Sequence, residues 1–395
     1  MWMFLFWFSF FIVFYSYFGY GMLIWFMVGI RRFFSKKNRS RSEADFEPEV
    51  SLIITAFNEE DFIEKKILNS LDLDYPAEKL RLIAITDGSD DKTPEIIRRY
   101  PQIELLHQPE RRGKVAAMNR AVKFVQTPYM VFSDANTLLN RACLKQLLKH
   151  YANPKVGGVA GEKKILSGER ERAAVAGEGL YWKYESFLKK LDSEFHTVVG
   201  AAGELFSVKT ALFHEASEDT IIEDLVQSPQ ICRDGYVVRY EPMAFATETA
   251  SSSMKEEQKR KIRISAGAFQ AMVILKDLFN PFKHPVLSFQ FISHRVLRWT
   301  LSPVSLVILF ISNLALVIKD AGILYSVVFL IQLVFYAMAW TGWLFAGRNL
   351  RVKGFYAPYY FMFMNLSVFL GFYRFIRKRQ TAVWEKAVRH PGPAG

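Results

Sequence analysis

Val50-Ser51-Leu52-Ile53-Ile54-Thr55-Ala56-Phe57-Asn58-Glu59-Glu60 frames the reading of this chain. Seven residues, mostly apolar and β-branched, end abruptly in a polar, acidic cluster. A short apolar run bounded by a turn signal reads as a buried strand. The pattern then repeats downstream. Asp61 to Leu71 has helical spacing, Leu80 to Thr86 is strand-like, Thr93 to Tyr100 helical and Ile103 to His107 strand-like again. Lys114 to Val125 predicts a helix and Tyr129 to Ser133 a strand. Strands alternating with helices predict an α/β domain with a parallel, helix-covered sheet. Such sheets bind ligands beyond the carboxyl ends of their strands. The polar residues directly after each strand are therefore the first candidates for function.

Outside this block the composition changes. Hydrophobic residues make up 51% of the 395, and Phe alone accounts for 35, yet 23% of residues are charged. These figures are compatible because the apolar residues cluster at the two ends. Trp2 to Val28 carries no charge and exceeds the ~20 residues that cross a bilayer. It lacks a basic start and a small-residue cleavage site, so it reads as a retained anchor. Pro303 to Ile318, Ile323 to Ala346 and Phe355 to Phe372 are further apolar segments. The net charge is +12, and the cations gather beside apolar segments: Arg31, Arg32, Lys36, Lys37, Arg39 and Arg41 after the first, Arg374, Arg377, Lys378 and Arg379 after the last. That placement suits anionic headgroups of a lipid bilayer. No DNA-reading motif accompanies it, so nucleic acid is not an expected partner.

The basic run places the domain after the first span in the cytoplasm. Four crossings would put the C-terminal cations outside, so the expectation is a cytosolic tail with an incompletely spanning last segment. The division expected is an anchor at 1–30, a basic linker at 31–48, the α/β domain at 49–250, amphipathic interface helices at 251–300, C-terminal membrane segments at 301–376 and a basic tail at 377–395. Cys143 and Cys232 lack metal-ligand spacing and read as buried reduced thiols, and the seven histidines form no zinc motif.

Five clusters carry candidate chemistry. The first is the one quoted. The second, Thr86-Asp87-Gly88-Ser89-Asp90-Asp91-Lys92-Thr93, follows the next strand. Asp87 there can take a base edge or ribose hydroxyl, while Asp90 and Thr93 are typical helix caps. The third, Arg111-Arg112-Gly113-Lys114, puts glycine and cations at a helix start, a natural anion site. The fourth, Ser133-Asp134-Ala135-Asn136-Thr137, offers hard oxygen ligands from Asp134 and Asn136 to Mg2+ or Mn2+. The fifth, Glu223-Asp224, offers a carboxylate base, with Asp224 the best placed to take a proton from an acceptor hydroxyl.

In this order and spacing, VSLIITAFNEE, AITDGSDDKT, RRGKVAAMNRAV, VFSDANT, GAAGELFSVK and IIEDLVQSPQICRDGYVVRYEP resemble the family 2 glycosyltransferases, in their membrane-bound branch. The resemblance spans roughly residues 50–245. It implies the GT-A fold, a Rossmann-like mixed sheet, flanked here by transmembrane helices. It implies that Ala56, Phe57, Glu59 and Asp87 line a nucleotide-base pocket with Lys114 beside it. Asp134 and Asn136 match the metal and diphosphate element, where the family often has a second Asp. Gly203 to Phe206 would lie beneath the donor sugar, and Asp224 matches the base of an inverting transfer, with Glu223 beside it. Polysaccharide synthases of this branch carry a Q-x-x-R-W motif. Its counterpart is Gln258-Lys259-Arg260-Lys261-Ile262-Arg263, without the tryptophan. Arg260, Lys261 and Arg263 are equal candidates for the diphosphate. Tyr181 and Trp182 are candidate acceptor platforms or core residues. The expected partners are a nucleotide-sugar donor, a lipid-linked or glycan acceptor, the bilayer, and an export partner or second copy. Three readings stay open: transfer of a single sugar, processive polymer synthesis with export, and a non-catalytic membrane scaffold that binds nucleotide-sugar.

Overall fold

The structure is a computed structural model and describes residues 1–34, 46–166, 175–201, 203–249, 253–347 and 352–378. Lys36, Lys37, Arg39, Arg41, most of the expected linker and the tail from Arg379 lie outside the described residues.

Helix α1 is Trp2–Phe34, with a π-helical turn at Tyr15–Gly19. The α/β domain follows as β1 Val50–Ala56, α2 Ile63–Leu71, β2 Leu80–Asp87, α3 Thr93–Arg98, β3 Ile103–Gln108, α4 Lys114–Val122, β4 Tyr129–Asp134, β5 Leu138–Leu139, α5 Cys143–Leu148 and β6 Val156–Leu166. Then come α6 Val175–Phe195, β7 Leu205–Lys209, α7 Glu223–Arg233 and β8 Val237–Thr249. Helix α8 is Met254–Ile274, and α9, Pro285–Gln290, runs into a π-helical stretch, Phe291–Val296. Three helices complete the chain: α10 Leu301–Ile318, α11 Ile323–Gly347 and α12 Lys353–Ile376. Every strand and helix expected between residues 50 and 134 is present, with ends shifted by up to three residues.

The eight strands form one sheet in the order β3-β2-β1-β4-β7-β6-β8-β5. The alternation of strands and helices points to the parallel part of this sheet, and the resemblance to a mixed one, which it is. Strands β3, β2, β1 and β4 are parallel, but β7 runs antiparallel to both β4 and β6, giving a mixed sheet. Strand β1 is buried throughout and its side chains alternate between two layers. Leu52 and Ile54 pack with Ile63, Ile67 and Leu147 on one face, whereas Ile53 packs with Ile85, Met118 and Phe132 on the other. Each such side chain contributes about 1.5–3 kcal/mol on burial. The register pairs Thr55 with Asp134 and Ala56 with Thr86. The polar cluster after β1 therefore lies level with the ends of β2 and β4.

Among the described residues, three helices are long and apolar enough to cross a membrane: Trp2–Phe34, Leu301–Ile318 and Ile323–Gly347. Helix α12, which holds the expected fourth segment, instead runs alongside α8. Gly371 makes this contact close, since a Cβ there would stand 2.5 Å from Ser265 Cβ and 2.9 Å from Ala266 N. The π-turn of α1 widens the helix and frees carbonyls from the usual ladder. Ser16 O accepts from Arg298 Nε at 3.0 Å, and Tyr17 O accepts from Tyr184 Oη at 2.6 Å.

Candidate active site

The loops after β1 and β2 are tied together by their own polar residues. Asn58, at φ 51°, gives its backbone N–H to Ser89 Oγ at 3.1 Å, and its amide exchanges hydrogen bonds with Asp90. Glu59 N donates to Thr93 Oγ1 at 2.8 Å and Glu60 N to Asp91 Oδ2 at 3.1 Å. Asp90 and Thr93 thus join two strand ends, a different task from the helix capping expected of them.

Asp87 is buried and accepts two backbone hydrogen bonds, from Arg112 N at 2.9 Å and Gly113 N at 2.7 Å. It anchors the turn that starts α4. Gly88, at φ 66°, permits that closeness, because a Cβ there would lie 2.7 Å from Arg111 N. The Arg111 guanidinium lies 3.6 Å from the Phe57 ring centroid. Phe57, next to Ala56, and Gly88, next to Asp87, therefore both meet Arg111, a residue whose placement the sequence did not reveal. Asp87 carries its structural duty alongside any ligand contact.

Lys114, the first residue of α4, directly follows the Gly113 that binds Asp87. Its ammonium lies 2.9 Å from Asp134 Oδ1 and 2.9 Å from Glu223 Oε1, and it donates to Gly203 O at 3.2 Å. It therefore bridges the strand-end aspartate and the acid pair. Burial works against its charge, but Asp134 and Glu223 outweigh this and raise its pKa. Burial raises Asp134 in spite of Lys114. Asp224, at the start of α7, is pushed up to about 7, first by burial and then by Glu223 beside it. Gly203 leaves room at that carboxylate: a Cβ there would lie 3.6 Å from Asp224 Oδ2.

Two further acids and cations complete the cluster. Glu204 pairs with Lys163, which also pairs with Glu248. Burial opposes the Glu204 charge, yet Lys163 and Arg260 hold its carboxyl well below the usual range. Among the cations of α8, Arg263 faces Glu223, Asp134 and Asp224. Arg260 faces Glu204 and pairs with Glu257 at 3.6 Å. Lys261 pairs with Glu257 at 3.4 Å, with its ammonium 5.5 Å from the Tyr181 ring centroid and 5.6 Å from that of Trp182. Gln258 is half-buried one turn earlier. Of the three cations, Arg263 is the one that Glu223, Asp134 and Asp224 all act on electrostatically.

Lys66 was also missed. It sits on α2 at a position that reads as a surface lysine, but it is fully buried and donates to Ser133 Oγ at 2.7 Å and Thr137 O at 2.9 Å. Burial lowers its pKa to about 7. It braces the turn that carries Asp134 and Asn136.

For a divalent ion, Asp134 and Asn136 are hard oxygen donors of the right type. Asn136 Nδ2 lies 3.5 Å from Glu59 Oε1. Among the described residues no group of three or more His, Cys, Asp or Glu is set to hold a metal. The donor set thus fits an ion completed by substrate oxygens and water, with Lys114 giving way at Asp134.

Comparison with known proteins bears on the family and the fold. Residues 51–215 match the family model of "Glycosyl transferase family 2". Poly-beta-1,6-N-acetyl-D-glucosamine synthase of Staphylococcus aureus is 27% identical over 246 residues, covering 59% of this chain and 57% of that protein. Its namesake from Staphylococcus epidermidis is 25% identical over 283 residues, covering 67% and 66%. The match thus spans less than two thirds of the length of these relatives. A mannosyltransferase from Pyrobaculum calidifontis, solved with GDP-Man and Mn2+, superposes with a TM-score of 0.69 at 22% identity, covering 92% of this chain and 96% of its own. At that identity the likeness speaks for the fold. In residues 51–215 the chain carries a glycosyl transferase family 2 domain, built on the GT-A fold.

Proposed function

We propose that this protein transfers a sugar, with inversion, from a nucleotide-diphosphate sugar to a lipid-linked or polysaccharide acceptor at the inner face of a membrane. The observation that carries the reading is the meeting of Asp134, Glu223 and Asp224 around Lys114 at one sheet edge, with Arg263 facing them. Ala56, Phe57 and Asp87 hold the base and ribose, with Glu59 beside them. Asp134 and Asn136 would hold Mg2+ or Mn2+. When bound, that ion supplies Lewis-acid stabilisation of the diphosphate. Lys114, Arg260 and Arg263 place positive charge where the leaving group develops its own, the kind of electrostatic contribution that dominates many enzymes. Asp224 takes the proton of the acceptor hydroxyl as it attacks the anomeric carbon. A carboxyl poised near neutrality suits that task, since the best general base has a pKa close to the working pH.

Contacts of α1 support the membrane side proposed. Arg31 donates to Glu194 O at 3.1 Å, and Arg32 pairs with Glu194 at 2.5 Å. The domain therefore sits at the basic end of the first span, which the positive-inside rule assigns to the cytoplasm. The course of α12 along α8 supports a last segment that spans incompletely and a tail on the same side.

The donor screen begins with UDP-linked N-acetylglucosamine, because that sugar is in the relatives' name, and extends to other nucleotide-sugars with Mg2+ or Mn2+. Release of nucleotide diphosphate that depends on Asp224 supports the reading. No release from any donor overturns it in favour of a scaffold. The relatives' name favours a processive synthase as the second reading, and the length of labelled product separates it from single-sugar transfer.

A further inference from the structure

Behind the acid cluster lies a second set of buried ionisable groups that the transfer reaction does not use directly. Glu185 of α6 is buried among three basic side chains. Its Oε1 lies 2.6 Å from Arg295 Nη1, and its Oε2 lies 3.3 Å from both Arg298 Nη1 and His294 Nε2. The other ring nitrogen of His294 is 2.6 Å from Asp192 Oδ2. Asp192 also accepts from Tyr20 Oη of α1 and, at 3.2 Å, from Gln290 Nε2. Burial raises the Glu185 carboxyl, but Arg295, His294 and Arg298 together hold it well below the usual range. Removing one partner of such a buried set leaves the others uncompensated.

One arm of this set reaches the active site through backbone. Arg295 Nε donates to Val199 O at 2.8 Å. The next residue, Gly200, has φ 89°, and a Cβ there would lie 2.9 Å from Leu225 Cδ1 and 3.4 Å from Arg295 Nη2. Ala201 N donates to Ser228 Oγ at 3.1 Å, and Ser228 Oγ donates to Asp224 O at 3.0 Å. Gly203 O receives Lys114. Val199–Ala201 is thus held by Arg295 at one end and by the Asp224 helix at the other, while Gly203 is held by Lys114. Arg298 touches the same carboxylate, but its Nε goes to Ser16 O in the π-turn of α1.

We propose that Glu185 and Arg295 are positioning residues for the transfer: their buried pair fixes Val199–Ala201, which is bonded to the Asp224 helix, and so sets where Asp224 meets the acceptor. The inference rests on Asp224 being the base. The backbone at Val199, and no contact with substrate, transmits the effect. A misplacement near 1 Å costs about 10²-fold in rate.

The test uses the full-length chain in detergent with Arg295→Lys, which keeps the charge but shortens the reach to Val199, and Glu185→Gln. Arg298→Lys is the control that disturbs the same carboxylate from the other side. The expected result is a kcat lower by about 10²-fold with donor KM unchanged in the first two variants. The neutral limb of their pH–rate profile shifts as well, and backbone deuterium uptake across residues 197–205 rises. Arg298→Lys does none of this. Unchanged uptake or unchanged kcat in Arg295→Lys overturns the proposal, as does an equal loss in Arg298→Lys. If the unmodified protein transfers no sugar, the function reading fails. The uptake contrast then still decides whether the pair holds the segment.

Discussion

Replacing Asp224 with Asn should make the protein more stable and nearly inactive at once. The carboxyl is pushed from its ordinary value of 3.8 up to about 7, by burial first and Glu223 second. The folded state therefore holds this proton more tightly than the unfolded chain does. Between those two pH values unfolding releases a proton, so stability falls as pH rises and levels off above about 7. A gap of roughly three pH units corresponds to about 4 kcal/mol at most. Asn cannot ionise and avoids that loss. In a domain of this size 1 kcal/mol moves Tm by about 2–4 °C, so Asp224→Asn should melt roughly 10 °C higher than the parent at pH values above neutrality. The difference should shrink steadily toward acid pH. In the same preparation kcat should fall about 10²–10⁴-fold, the range for loss of a positioned base. Thermal unfolding in detergent across pH, beside nucleotide diphosphate release, measures both. A Tm difference independent of pH refutes the electrostatic reasoning, and retained turnover removes Asp224 from the mechanism.

The unmodified enzyme should show kcat/KM rising with pH through about 7 as Asp224 ionises, and a flat profile across neutrality would contradict this. Lys114→Met should cost about 3–5 kcal/mol by leaving Asp134 and Glu223 without their ammonium. Part of that loss should return at acid pH, where the carboxylates protonate, and a Tm series reads it. Arg263→Ala should lower kcat/KM more than tenfold, by about 1.4 kcal/mol or more of transition-state stabilisation. Lys261→Ala, whose ammonium lies over Tyr181 and Trp182, should change kcat/KM far less. Equal losses in these two would undo the assignment of Arg263.

The parallel half of the sheet was legible because its strands are continuous apolar runs that stop at turn residues, as between Ala56 and Asn58. The reversal at β7 was not, since Leu205–Lys209 reads as a strand without any mark of direction. Site residues that follow strands were legible through position: Asp87, Asp134 and the glycine before Lys114. The side-chain partners of Lys114 were not legible, because its side chain is long enough to reach either the Asp87 turn or Asp134. Lys66 stayed hidden because α2 is amphipathic and a lysine at that spacing looks solvated. Glu185, Asp192 and His294 meet only when α6 and the Phe291–Val296 stretch fold together, more than 100 residues apart for two of the contacts. Sequence spacing carries no trace of such a meeting.

Gly371 gives α12 and α8 a contact with almost no cushioning between them. Where longer side chains interleave, one helix can slip past another while rotamers absorb the shear. Here the chain of α12 rests directly on Ser265 and Ala266, two and three positions beyond Arg263. A tilt of the outer helix is passed on stiffly to the guanidinium that faces the acids. For the transfer proposed here, the thickness of the surrounding lipid would then be a working variable.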